Sequence, residues 1–197
     1  MTRTKTVLRA LLGVGAAGAI AAFGTFSAFS STTDNPGNTI ATGSVAISDN
    51  DGGVSKLFTV TAGKPGTDYD SCMRVTYTGS LPAEVKMTVP TTVGALAADL
   101  DLDVTAGTQT VDPNRVFGDC NGFVAAPGAN VFGDGATDTL ATFANFKTWD
   151  NGLAHNPGGD WTQGENVVYR FRVNVQDDAP QGVATDTFTV KWEARNK

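Results

Sequence analysis

Few residues in this chain could do chemistry. His155, in AHNPGG, is the only histidine of the 197 residues. A two-histidine zinc site is therefore excluded, no HExxH helix exists, and no GxSxG marks a nucleophile elbow. Without such partners, His155 reads as an exposed loop residue. Oxygen ligands are more abundant. In SDNDGG, residues 48–53, Asp49 and Asp51 offer the hard ligands with which a Ca²⁺ loop begins, and Gly52 offers its sharp turn. The bidentate Glu that completes such a loop is missing, so a turn between two strands is the favoured reading and Ca²⁺ the minor one. Asp99, Asp101 and Asp103 of DLDLD alternate onto one strand face, and Asp177 and Asp178 fall in a turn; solvated faces account for both. Carboxylate pairs for glycoside hydrolysis are defined by their separation in space, which the order of residues does not set. No catalytic residue, resident metal or cofactor is expected.

The elements that would carry these side chains are strands. In NVVYRFRVNVQ, residues 166–176, Val167, Tyr169, Phe171, Val173 and Val175 share one face, while Val168, Arg170, Arg172, Asn174 and Gln176 share the other. TDTFTVKWEA repeats the pattern, with Phe188, Val190 and Trp192 inward, and is expected to form a hairpin with its predecessor through DDAPQG. Shorter candidates lie around Val45 and Ile47, Phe58 and Val60, Met73 to Tyr77, Val85 to Val89, and Leu100 to Val104. The segments DNDGG, GKPG, TGSLP and TAG supply the Gly, Pro and Asp that bends require. Seven or more short strands at this spacing predict an all-β fold, a jelly roll or related β-sandwich in one domain. Residues 112–165 lose the periodicity and read as a long, loop-rich insertion, with one short helix in DTLATFANF.

The N-terminus reads as a secretory signal peptide, residues 1–30. Arg3, Lys5 and Arg9 form a basic start, an apolar run follows, and small residues Ser27, Ala28 and Ser30 place the cut between about 27 and 31. The run is also about the ~20 residues needed to span a bilayer, but its glycines and hydroxyl residues favour cleavage over retention. Membrane contact is then transient. Without residues 1–30, eleven basic residues face twenty acidic ones, a net charge of −9. A nucleic-acid partner is excluded by that balance, because phosphate binding needs a clustered basic surface. Cys72 and Cys120 fit one disulfide of an exported protein, with two separate buried thiols as the alternative. Such a bridge closes a loop worth about 4 kcal/mol in the chain-entropy model.

Taken in order, GTFSAFSSTTDNPGNTIATGSVAISDNDGG, LFTVTAGKPG, CMRVTYTGSLPAEVKM and VVYRFRVNVQDDAPQGVATDTFTVKWEA resemble the TasA and camelysin family of exported bacterial proteins. The marks are a GTF-x-AF junction of the kind cut by a SipW-type signal peptidase, a T-x-A-x-G-x-V-x-I-S first strand, a KPG turn, a Y-x-G-S-L segment and the C-terminal strand pair. The resemblance covers both ends of the chain and leaves residues 112–165 uncovered. It implies a secreted jelly-roll subunit of the extracellular biofilm matrix or cell surface, a homo-polymer whose fibres form by N-terminal strand donation. On this chain the donor would be residues 31–42, extended back to Phe29, with Phe29 and Ile40 as anchors. Pro36 interrupts it and has no N–H to give a ladder. The family also contains proteins described as metalloproteases, for which a single histidine is a poor basis. A non-polymerising adhesion or binding module would keep the same fold.

Overall fold

The clearest alternation in the chain forms the strand at the centre of the larger sheet. In the computed structural model, which describes residues 42–50, 56–60, 63–110, 117–133, 138–183 and 188–197, eight strands are present: β1 (Ile47–Asp49), β2 (Asp68–Tyr77), β3 (Ala83–Thr88), β4 (Leu100–Gln109), β5 (Phe123–Phe132), β6 (Leu153–Ala154), β7 (Asn166–Val175) and β8 (Lys191–Asn196). They make a five-stranded antiparallel sheet, β1-β2-β7-β4-β5, and a three-stranded one, β6-β3-β8. The expected all-β sandwich is the fold of Thr42–Lys197, which is one compact unit.

The inward rows of the two sheets meet in one core. Val75 and Tyr77 of β2, Val85 and Met87 of β3, Leu102 and Val104 of β4, and Val167, Tyr169 and Phe171 of β7 are all buried, as period-two strands with one covered face require. A connected series of aromatic contacts runs through it, from Phe146 and Phe132 to Phe143, Phe171, Trp192 and Tyr169, with neighbouring centroids 5.0–6.4 Å apart. A 3-10 helix, Ala95–Asp99, and a single-turn helix, α1 (Leu140–Phe143), close one end. In α1 the Thr139 hydroxyl accepts from the Thr142 N–H, and Leu140 and Phe143 are buried.

Three expectations are corrected. The segment around Phe58 and Val60 is not a strand over residues 56–60; Leu57 and Phe58 instead pack against the core as half-buried side chains. The C-terminal strand β8 does not form a hairpin with β7. It crosses to the other sheet and pairs with β3, Met87 opposite Trp192 and Val85 opposite Ala194, while both edges of β7 are occupied by β2 and β4. Within residues 112–165, where periodicity fails, the chain contributes strand β5, helix α1 and the fully buried Trp161. Its apolar residues are spaced irregularly because β5 is bulged against β4 between Thr105 and Gly107, and a bulge breaks the alternation by which strands are read.

Trp161 is the largest side chain of the core with 0 % exposure. Its backbone exchanges hydrogen bonds with Ala83 at 2.8 and 3.0 Å, and its indole N–H donates to the His155 carbonyl at 2.9 Å. Trp161→Ala is expected to cost about 3–5 kcal/mol, read as a lower denaturant midpoint at unchanged slope.

Candidate functional site: the open edge of the sandwich

Strand β1 ends the larger sheet and β8 ends the smaller, and a cleft of about 240 Å³ lies between them. Ile47, Ser48 and Asp49 line one side, Thr189, Val190, Lys191 and Trp192 the other, with Val75 also contributing to the lining. The Ala46 carbonyl accepts from Thr78 at 2.9 Å and the Asn50 N–H donates to the Arg74 carbonyl at 3.2 Å. Both therefore face β2, and by strand alternation the N–H and C=O of Ile47 point away from it, towards the open side. Among the described residues no strand pairs with that side of β1.

The other two edge strands are built differently. In β5, Pro127 has no N–H and Gly128 takes φ of 68° within the bulge, two devices that interrupt an edge. Strand β6 is two residues long, and the chain beyond it closes over β3 through the Ala83–Trp161 bridge. The β1–β8 side is thus the regular one.

The outer face of the larger sheet carries the charge. Register places Asp70, Arg172 and Asp103 in one row across β2, β7 and β4, and Asp68, Asn174 and Asp101 in the next. Arg172 grips Asp70 with two bonds, Nε to Oδ1 at 2.8 Å and Nη2 to Oδ2 at 2.9 Å, and reaches Asp68 at 3.5 Å. Asn174 donates to Asp68 at 2.8 Å and Gln176 to Asp101 at 2.6 Å. The bond from Arg172 holds the Asp70 carboxyl below its usual range, whereas burial raises Asp103 against the pull of the same arginine. Asp68, Asp101, Asp103, Arg172 and Asn174, with Asp138, line an open trough of about 600 Å³. Asp101 and Asp103 share the expected face; Asp99 ends the preceding 3-10 helix instead. Asp177 and Asp178 lie in an exposed turn after β7.

Cys72 and Cys120 form a disulfide, Cα atoms 5.1 Å apart. Of the Ca²⁺ candidates, Asp49 closes β1 at the rim of the cleft, and the neighbouring Asn50 side chain accepts from the Arg74 N–H at 2.9 Å; Asp51 lies outside the described residues. Among the described residues no group of three or more His, Cys, Asp or Glu side chains is placed to hold a metal ion, and no helix is long and apolar enough to cross a membrane. The signal-peptide residues Ser27, Ala28 and Ser30 and the donor residues Phe29 and Ile40 also lie outside the described residues.

His155 is not the exposed loop residue that its sequence context suggests. It is half-buried, Nδ1 lies 3.1 Å from the Tyr169 hydroxyl, and the two rings meet edge to face at 5.5 Å. No sequence signal announces this contact, because Tyr169 belongs to the inward row of β7 and reaches His155 only once β6 has docked. Burial disfavours the charged form of each, lowering the His155 pKa and raising that of Tyr169.

These features define a two-sheet β-sandwich with one edge that no strand covers among the described residues and a charged outer face. No family model matches the chain, and no curated protein matches it either.

Two pH effects follow. A folded-state pKa below the unfolded value means the unfolded chain binds more protons, so His155 makes stability fall as pH drops below about 6.5. As the only histidine, it accounts for the loss of denaturant midpoint between about pH 7 and pH 5.5, and His155→Asn flattens that limb. Asp70, also lowered, contributes above its unfolded pKa of about 3.9 and loses that contribution as pH falls through the folded value. Asp70→Asn therefore costs about 1 kcal/mol at neutral pH, and the gap from wild type closes below about pH 4.

Proposed function

We propose that the chain is a secreted structural protein of the cell surface or biofilm matrix, a TasA-like subunit released by a signal peptidase. Copies assemble into fibres when residues 31–42 of one chain add as a strand at the β1–β8 cleft of the next, with Ile40 as an anchor and Phe29 as a second where the cut falls before it. The observation that carries this reading is the contrast between edges. β5 is broken by Pro127 and Gly128 and β6 is two residues long, while β1 turns the Ile47 backbone outward beside a cleft lined by both apolar (Val190, Trp192) and polar (Asp49, Lys191) side chains. An added strand gains generic affinity from main-chain hydrogen bonds and selectivity from pockets for alternate side chains. Pro36 cannot donate, so the ladder is expected on either side of it rather than through it. A head-to-tail contact of this kind does not close on itself and grows into a filament.

The motif order supports the family reading, and the sandwich fold agrees with it. One histidine, hydrogen-bonded to a tyrosine, is no support for a metalloprotease, and no enzymatic activity is assigned.

Electron microscopy of the mature protein, starting near Ser31, is expected to show filaments, and a chain starting at Thr42 is expected to remain monomeric. Ile47→Pro removes an N–H that points away from β2 and should abolish growth, while Ile47→Val, which keeps that N–H, should not. Equal behaviour of the long and short chains excludes donation by this segment. A stable monomer that binds a glycan or a protein surface identifies the adhesion module instead, and chelator-sensitive peptide turnover that survives repurification identifies the protease.

A further inference from the structure

The outer face of the larger sheet has two halves. One is the open acidic trough around Arg172. The other is covered by residues 117–123, which run from the edge of β2 at Cys72, on the side away from β7, across β7 to the end of β4. At the β4 end, Gln109 Nε2 donates to the carbonyls of Asp119 and Asn121 at 2.8 and 3.1 Å, and the Thr110 N–H donates to Gly122 at 3.1 Å. At the β2 end, the Gly118 N–H donates to the Cys72 carbonyl at 3.0 Å and the Cys72 N–H to the Gly118 carbonyl at 3.4 Å. The disulfide fastens that second end.

Beneath the strap lies a small apolar patch that is separate from the main core. Val168 belongs to the outward row of β7, yet it is 2 % exposed. Beside it on β4 is Gly107, where a Cβ would run first into the Val124 carbonyl of β5 and then come within 2.9 Å of the Phe123 ring; glycine is needed there so that the β5 backbone and the ring can lie against the strand. The Phe123 ring also covers the Arg170 guanidinium at 5.0 Å, and the buried Arg170 Nε has no hydrogen-bond partner. Covering this half of the sheet thus leaves one polar group unsatisfied, which opening would return to water.

We propose that Cys72–Cys120 is a redox-sensitive clasp, and that reducing it lifts the strap from β2 without unfolding the sandwich. The reductant is a small dithiol. Its thiolate attacks the sulfur of Cys120, which is the partly exposed cysteine of the pair, Cys72 being 3 % exposed. The Cys72–Cys120 bond breaks and Cys72 leaves as a thiolate. The second thiol of the reductant then displaces Cys120 and closes the reductant's own disulfide, so that two electrons and two protons end on the two cysteines. The main core retains its inward rows; of the strap residues, Phe117 packs against that core and stays seated while Gly118 to Cys120 lift. What is uncovered is Val168, the Phe123 ring and the Cys72 stretch of the β2 edge, a second place where a backbone could pair.

The test is amide hydrogen exchange on the folded full chain, before and after reduction by dithiothreitol under native conditions. Exchange at Gly118 and Cys72 is expected to accelerate at least tenfold, while Tyr169, Val104 and Val85 keep their protection. Unchanged protection at Gly118 overturns the proposal, because the strap then stays down without its bond. Loss of protection at all of these sites together also overturns it, because the disulfide is then a staple for the whole sandwich. Cys72→Ser paired with Cys120→Ser provides the same comparison without reductant, and is expected to give the reduced pattern.

Discussion

Strand β7 has neighbours on both edges, cover on its inner face and cover over half of its outer one, and the rest of the domain is arranged around it. Its inward row, Val167, Tyr169, Phe171 and Val173, is the part of the core against which β3 and β8 pack. Its outward row divides the other face by chemistry: Val168 and Arg170 lie under the strap, and Arg172 and Asn174 organise the carboxylates of β2 and β4. A strand so enclosed must satisfy every backbone group through its neighbours and cannot slip by one residue without exchanging its two rows. Register across β2, β7 and β4 follows from that single constraint. The bidentate Asp70–Arg172 pair is a consequence of the register rather than its cause, since an exposed ion pair is worth only about 1 kcal/mol.

The edges of the sandwich are unequal, and the proposed assembly rests on this inequality. β5 is interrupted by Pro127 and Gly128, and β6 is short and followed by a chain segment that closes over β3. At β1 and β8 neither a proline nor a bulge appears among the described residues, although β1 is only three residues long and Lys191 opens β8; there is a cleft with Ile47, Val190 and Trp192 along it. Under the proposed assembly the β1–β8 edge would be the single heterologous contact, and a contact of that kind extends linearly. Trp192 joins this edge to the interior, because its ring packs against Tyr169 and Phe171 of β7.

The half-buried His155 and the strap show how segments without periodicity become structural. Residues 153–161 have no alternation, yet they place a histidine against Tyr169 and a tryptophan at 0 % exposure. The strap has no regular structure before Phe123, yet it covers half of a sheet face, because Gly107 removes the Cβ that would obstruct the Val124 carbonyl and the Phe123 ring and the disulfide holds the far end.

Alternation in the sequence was sufficient to identify β2, β3, β4 and β7 and to sort their side chains into inward and outward rows, because a period of two is a local property of an extended backbone. The even count of cysteines was compatible with the bridge that forms, and the short helix was legible in DTLATFANF. Pairing was not legible. Sequence adjacency pointed β8 towards β7, but both edges of β7 are taken, so β8 completes the other sheet beside β3. Bulged β5 and buried Trp161 lacked a readable period for the same reason that they matter, since each departs from regular strand geometry to fit surfaces made by distant residues. The open cleft belongs wholly to the tertiary structure: Ile47 and Val190 are far apart in the chain, and only the meeting of two sheet edges makes them neighbours.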